Sequence, residues 1–159
     1  MSNSPERSVP SDQEDLRELL LSWLGFLRGA VVVKASGLSE QAAHWRPQGR
    51  LITPIGILNH LSRVEWRWMD GGFLGAAVER DEKEFTPGPS LTLADALDAY
   101  AARAEATDAL VRRLDLMTPC ALWPDTTLRW VLLHLINETA RHAGHADSVR
   151  ELIDGTVGE

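Results

Sequence analysis

Apolar residues recur along this chain at three- and four-residue intervals in four separate blocks, and nowhere in the sustained alternation of a strand. In the first block Leu16, Leu19, Leu20, Trp23, Phe26, Leu27, Ala30 and Val31 make a helical stripe. Ser11 and Glu14 are spaced as its capping box, and Gly37 falls where a helix stops. The second block offers Thr53 as N-cap and Pro54 as first helical residue, carries Ile57, Leu61, Val64 and Trp68 on its inner side, and ends at Gly71-Gly72. The third opens with Thr92 and Asp95. Seven alanines, Ala94, Ala96, Ala99, Ala101, Ala102, Ala104 and Ala106, are interspersed there with Leu97, Tyr100, Leu110, Val111 and Leu114, and such small residues would let neighbouring helices approach closely. Pro119 and Pro124 then interrupt the pattern around Trp123, and a last helix, capped by Thr126 or Thr127, is expected to run to about Ile153 before Gly155. Four amphipathic helices predict an all-α, antiparallel-type four-helix bundle.

Outside the helices, residues 1–10, with Pro5 and Pro10 among serines, read as a disordered lead-in to a single domain over residues 11–155. Residues 71–90 form a long connection between the second and third helices, with an acidic patch, "ERDEKE", and then "TPGPS". A loop of that length in a bundle is a candidate lid.

Composition narrows the function classes. Of the 159 residues 44% are hydrophobic and 25% charged, as in ordinary globular proteins. The net charge of −7 and the lack of a basic cluster exclude the footprint of a nucleic-acid binder. Cys120 is the sole cysteine, so neither a disulfide framework nor a thiolate-rich zinc site is available. A polar, acidic N-terminus and the lack of a spanning apolar run predict a cytoplasmic protein with no membrane partner.

The chemistry lies in polar residues on apolar faces. Val131, Leu135, Glu138, His142, His145, Val149 and Leu152 advance by alternating steps of four and three and so share one side of the last helix. Glu138 and His142, one turn apart, can converge on a single point. His60 interrupts the second helix in the same way, between Ile57 and Val64. A single histidine on such a face ordinarily finds a carbonyl or a water, and the Glu138–His142 pair alone could be an intrahelical hydrogen bond. Together the three match a two-His-one-carboxylate metal site with an open coordination position. His134 drifts to the edge of the stripe. His145 is a candidate fourth ligand, hydrogen-bonding partner or substrate contact, and His44 reads as a solvated loop residue beside Trp45.

The segments "TPIGILNHLSRVEWRWM" and "LRWVLLHLINETARHAGHADSVRELIDG" resemble the DinB/YfiT-like superfamily of metal-binding four-helix bundles, most closely its mini-circle branch. In that superfamily a histidine of the second helix and an H-x-x-x-H pair of the last hold a divalent ion, commonly zinc or nickel. Here the first position of the pair is Glu138. The chain is similar in this to mycothiol-dependent maleylpyruvate isomerase, which uses E-x-x-x-H. The resemblance implies His60, Glu138 and His142 as ligands and leaves His145 beside the metal.

The leading expectation is a zinc-dependent transferase or isomerase using a low-molecular-weight thiol such as mycothiol on a small-molecule substrate. The metal would hold the thiol as thiolate. His145 and Arg141 are its candidate catalytic residues, Trp66 and Trp123 candidates for the pocket wall, and Arg63 and Arg67 for meeting an anion. A metal-dependent hydrolase and a non-catalytic metal- or ligand-binding protein are the alternatives. Leu21, Leu24 and Val32, off the main stripe of the first helix, leave a face that a second subunit of a homodimer could cover.

Overall fold

Among the described residues, 8–49 and 51–157, the computed structural model of the protein contains four long helices and one short one and no strand. Positions 1–7 of the expected lead-in lie outside the described residues. The helices are α1 (Leu16–Ala35), α2 (Glu40–Ala43), α3 (Pro54–Trp66), α4 (Leu93–Arg113) and α5 (Leu128–Asp154). The expected second, third and fourth helices are therefore α3, α4 and α5. No helix among the described residues is long and apolar enough to cross a membrane.

The cap chemistry explains most of the boundaries. Thr53 Oγ1 accepts from the Gly56 amide at 3.0 Å with Pro54 in the first turn, and Thr92 Oγ1 accepts from Asp95 at 3.1 Å. At the start of α1 the cap is Asp15, whose Oδ1 accepts from the Arg17 amide at 2.9 Å. The expected Ser11–Glu14 box is not used, because an aspartate stands immediately before the first helical residue. Thr127 precedes α5, and Gly155, at φ 74°, closes it, its amide donating a hydrogen bond to Glu151 O. Helix α3 continues as one π-helical turn, Arg67–Gly71. Arg150 of α5 also serves the end of α1, donating to the carbonyls of Lys34 and Ser36 at 3.0 and 2.9 Å.

α1 packs most extensively along α5, and α3 along α4. On α1 the buried residues are Leu20, Leu21, Leu24, Arg28, Val31, Lys34 and Ala35. The inner face is thus rotated from the predicted stripe: Leu16 and Trp23 are exposed, while Leu21 and Leu24 lie in the chain's own core. Of the residues read as a homodimer face, Leu21 and Leu24 are thus covered by the chain itself and Val32 is partly buried. The rotation brings a charged residue inside. Arg28 is a core residue, donating from Nε and Nη2 to the two oxygens of Glu65 at 2.8 Å each and from Nη1 to Asp108 at 2.8 Å. Burial alone would lower its pKa, but Glu65 and Asp108 outweigh that and raise it, so the guanidinium stays charged inside the bundle.

Two further expectations change. Of the eight alanines of α4, the seven named above and Ala109, only Ala96 is buried, and most of the others face outward, where they supply helix propensity rather than close approach. On α5 the buried row is Leu128, Val131, Leu132, Leu135, Thr139, His142, Ala143, Ala146 and Val149, and Leu152 is 59% exposed. Thr139, whose hydroxyl donates to Leu135 O at 2.7 Å, occupies the middle of that row. Glu138 is displaced to its edge.

Candidate metal centre

That displacement puts Glu138 between core and solvent, with 26% of its side chain exposed, while His142 beside it is buried. α3 brings His60 opposite them, only 2% exposed. His60 Nε2 lies 3.3 Å from Glu138 Oε1, His142 Nε2 lies 3.7 Å from the same oxygen, and the two rings meet edge to face with centroids 4.6 Å apart. One ligand atom from each residue falls within 4.8 Å of the others. The three residues expected to act together are brought together.

The back of His60 is held by groups that no spacing rule singles out. Its Nδ1 is 2.7 Å from Oε1 of Glu84, a residue of the acidic patch that sits in a 3₁₀ turn, Glu82–Phe85. The Glu84 side chain is fully enclosed. Arg67 grips it with Nη1 on Oε2 at 2.6 Å and Nη2 on Oε1 at 2.9 Å, and Arg63 Nε stands 3.4 Å from Oε2. Phe85 stacks on the His60 ring at 4.2 Å, and Asn59 Nδ2 donates to the Glu84 carbonyl at 2.7 Å. The turn can lie this close only because residue 56 is glycine, since a Cβ there would overlap the Phe85 carbonyl oxygen. The connection read as a lid therefore folds back on α3. It sends Glu84 and Phe85 behind His60 and Arg80 to the rim of the cleft described below.

These contacts set the protonation states. Burial would raise the pKa of Glu84, but hydrogen bonds from Arg67 and His60 outweigh it and hold the carboxyl below its ordinary value. An ionised carboxylate only accepts, so Nδ1 of His60 carries a proton toward Glu84 and Nε2 faces Glu138. The neighbouring imidazoles of His142 and then His60 keep the Glu138 carboxyl well below the usual carboxylate range despite its partial burial. A carboxylate oxygen and imidazole nitrogens thus face one another at 3.3 and 3.7 Å. Either protons or a cation must lie between them, and the N, N, O donor set, backed by a carboxylate on the far nitrogen of one histidine, fits a divalent ion.

His145 packs edge-on to His142 at 5.3 Å, half-buried, with no hydrogen-bond partner at Nδ1. Burial, then the neighbouring charges of His142 and Arg141, lower its pKa and favour the neutral ring. Arg141 is exposed. Neither residue lines the cleft that opens in front of Glu138 and His60. That cleft, about 530 Å³, is walled by Val64, Arg67 and Trp68 of the α3 segment, Arg80, Leu122 and Trp123 of the loops, and His134 of α5. Of the candidate tryptophans, Trp123 is thus in the wall and Trp66 is not, its ring being covered by the Arg63 guanidinium at 5.5 Å. His134 is a wall residue, and His44 is held by Leu91 O at 3.0 Å instead of being solvated.

No curated protein and no solved structure matches the chain. The family model of mycothiol-S-transferases matches residues 19–155, which covers every helix from the first turn of α1 onward as well as the ligand cluster and the cleft before it. The chain belongs to the mycothiol-S-transferase family.

Proposed function

We propose that the protein joins a low-molecular-weight thiol of the mycothiol type to a small electrophile, and that His60, Glu138 and His142 hold the divalent ion on which this depends. The observation that carries the reading is the convergence of the three ligand atoms, without a cysteine, where His60 and Glu138 line an open cleft. Two imidazoles and a carboxylate suit zinc, with nickel as the alternative occupant. An ion held there supplies Lewis acidity that lowers the pKa of a thiol and favours its thiolate.

The chain's own residues do the rest. Glu84 keeps the Nδ1 proton of His60 and fixes the ring so that Nε2 faces the site, and Arg67 keeps Glu84 ionised. Phe85 and His142 pack against the His60 ring and limit its rotation. Trp68 and Val64 exclude water from one side of the cleft. His145, neutral and pressed on His142, is a positioning residue for that ligand, and exposed Arg141 adds positive charge beside it. In the transfer the thiol sulfur forms a bond to the electrophilic carbon as the carbon's bond to its leaving group breaks. The leaving group departs with the bonding pair, and the thiol proton passes to solvent.

Protein purified without a histidine tag is assayed for bound metal and for conjugation of mycothiol to monochlorobimane. Stoichiometric zinc or nickel, a melting temperature that falls with EDTA, and turnover that needs both thiol and metal and vanishes in a folded His142→Ala variant are expected. Substoichiometric metal with a melting temperature indifferent to EDTA overturns the metal site. Stoichiometric metal without conjugation overturns the transferase.

A further inference from the structure

The outer part of the cleft carries more aromatic surface than core packing requires. Trp130, His134 and Glu138 stand at successive turns of α5, so a row of rings leads along the helix to the candidate metal centre. The planes of Trp130 and His134 differ by 5° with centroids 5.4 Å apart, and Trp123 continues the row at 6.3 Å and 23°. Trp68 touches all three rings, nearest to His134 at 4.9 Å. Yet Trp123 is 56% exposed and Trp130 40%, an exposure unusual for so large an indole cluster.

The wall is built rather than incidental. A Cβ on Gly71 would come within 2.7 Å of Val78 and 3.0 Å of Leu122, and one on Gly72 within 2.8 Å of the Cys120 sulfur. The Ala121 amide also donates to Gly72 O at 2.9 Å. Both flanking loops are therefore pressed onto the end of α3, which fixes Trp123 on one side of the opening and Arg80 on another. Arg67, also in the wall, is committed to Glu84. Arg80 is exposed and has no ion-pair partner among the described residues.

We infer that this outer cleft is the seat of the electrophile and takes a planar aromatic molecule bearing an anionic group, its ring against Trp123 and Trp68 and its charge toward Arg80. A cleft of about 530 Å³ accommodates such a ligand. Fixed indole surface rewards a flat π-system over an aliphatic one of equal size. His134 is four residues from Glu138, a helical rise of about 6 Å, so a ring lying there has its reactive carbon beside the place where the thiol must be held. The choice of electrophile rests on the transferase reading, while the binding of the ring rests on the cleft alone.

The test uses calorimetric titration of the metal-stripped protein with 2-naphthoate, 2-naphthylmethanol and cyclohexanecarboxylate. 2-Naphthoate is expected to bind about five- to tenfold more tightly than cyclohexanecarboxylate, and Trp123→Ala to remove that advantage. Arg80→Gln is expected to weaken 2-naphthoate and leave 2-naphthylmethanol unchanged. In the loaded enzyme, Trp123→Ala should raise the KM for 1-chloro-2,4-dinitrobenzene and leave that for mycothiol unaltered. Equal affinity for the aromatic and aliphatic acids overturns the inference. So does a Trp123→Ala effect confined to the KM for mycothiol, which would assign the wall to the sugar rings of the thiol, or a dimer in sedimentation that this variant dissociates. Ring binding that persists where no conjugation is found overturns the transferase reading and leaves the aromatic site standing.

Discussion

The Glu84 carboxylate meets Nδ1 of His60 at 2.7 Å, from a turn 24 residues away in sequence, on the side of the ring opposite Glu138. Carboxylate–histidine pairs of this kind fix the tautomer and raise the basicity of a ligating nitrogen, and losing one typically costs about 10- to 100-fold in metal affinity. Glu84→Gln keeps the shape and an acceptor for Arg67 but surrenders the charge. It is expected to weaken zinc by about that factor, read by competition with a chromophoric chelator, with the helical circular dichroism unchanged. Unaltered affinity would show that His60 needs no such support.

The same carboxylate makes stability depend on acid. Its pKa in the folded chain lies below the ordinary carboxylate value, so the stability it contributes is complete above that ordinary value and is lost as pH falls through the lowered one. Glu138 carries a shift of the same sign and adds to the effect. Chelator-treated protein should therefore lose stability on acidification below about pH 4.5, each group contributing a slope of up to about 1.4 kcal/mol per pH unit between its two values. Urea melts at a series of pH values check this. Glu84→Gln should be less stable near neutrality and show a shallower acid limb.

Much of the bundle was legible in the sequence because helix signals are local. Thr53-Pro54, Thr92-Asp95 and Gly155 each mark a boundary through bonds made within a turn, and the i, i+4 spacing of Glu138 and His142 carries their convergence with it. Tertiary pairing hid the rest. Arg28 looks like a solvent residue and has no place in an apolar stripe, yet its partner Glu65, 37 residues away, meets it inside the bundle. Glu84 sits among charged residues that resemble an exposed patch, and only the fold brings Arg67 and His60 to it. His134 reads as an edge residue of its helix until Trp123 and Trp68 arrive from other segments to make a wall with it and Trp130.

The Arg28–Glu65 pair yields a stability prediction. Both residues are buried and joined by two parallel hydrogen bonds of 2.8 Å. Removing one partner leaves an uncompensated interior charge, which costs about 3 to 5 kcal/mol. Arg28→Met is expected to lower stability in urea melts by that amount. Replacing both, Arg28→Met with Glu65→Leu, should recover most of the loss, since apolar substitutes of similar volume replace buried pairs with little penalty. A double variant as unstable as the single one would show that the charges do more than neutralise each other, for instance through Asp108.

Gly56 ties folding to the candidate metal centre more directly than any ligand does. It lies in the first turn of α3 with ordinary helical backbone, so alanine would ordinarily stabilise the helix slightly. Here an added methyl would overlap the Phe85 carbonyl oxygen and crowd Ile52 and Thr53 at 2.8 Å, and backbone on one side and a helix on the other cannot yield cheaply. The 3₁₀ turn must move away, taking Phe85 off the His60 ring and Glu84 off Nδ1. Gly56→Ala is therefore expected to cost about 1 to 3 kcal/mol, as overpacking does, and to weaken zinc even though residue 56 touches no ligand atom. Differential scanning calorimetry with and without zinc separates the two effects. A variant destabilised equally in both states would mean that the turn and the metal site are independent, whereas a stabilisation by zinc smaller than in the parent protein would show that the turn organises the site.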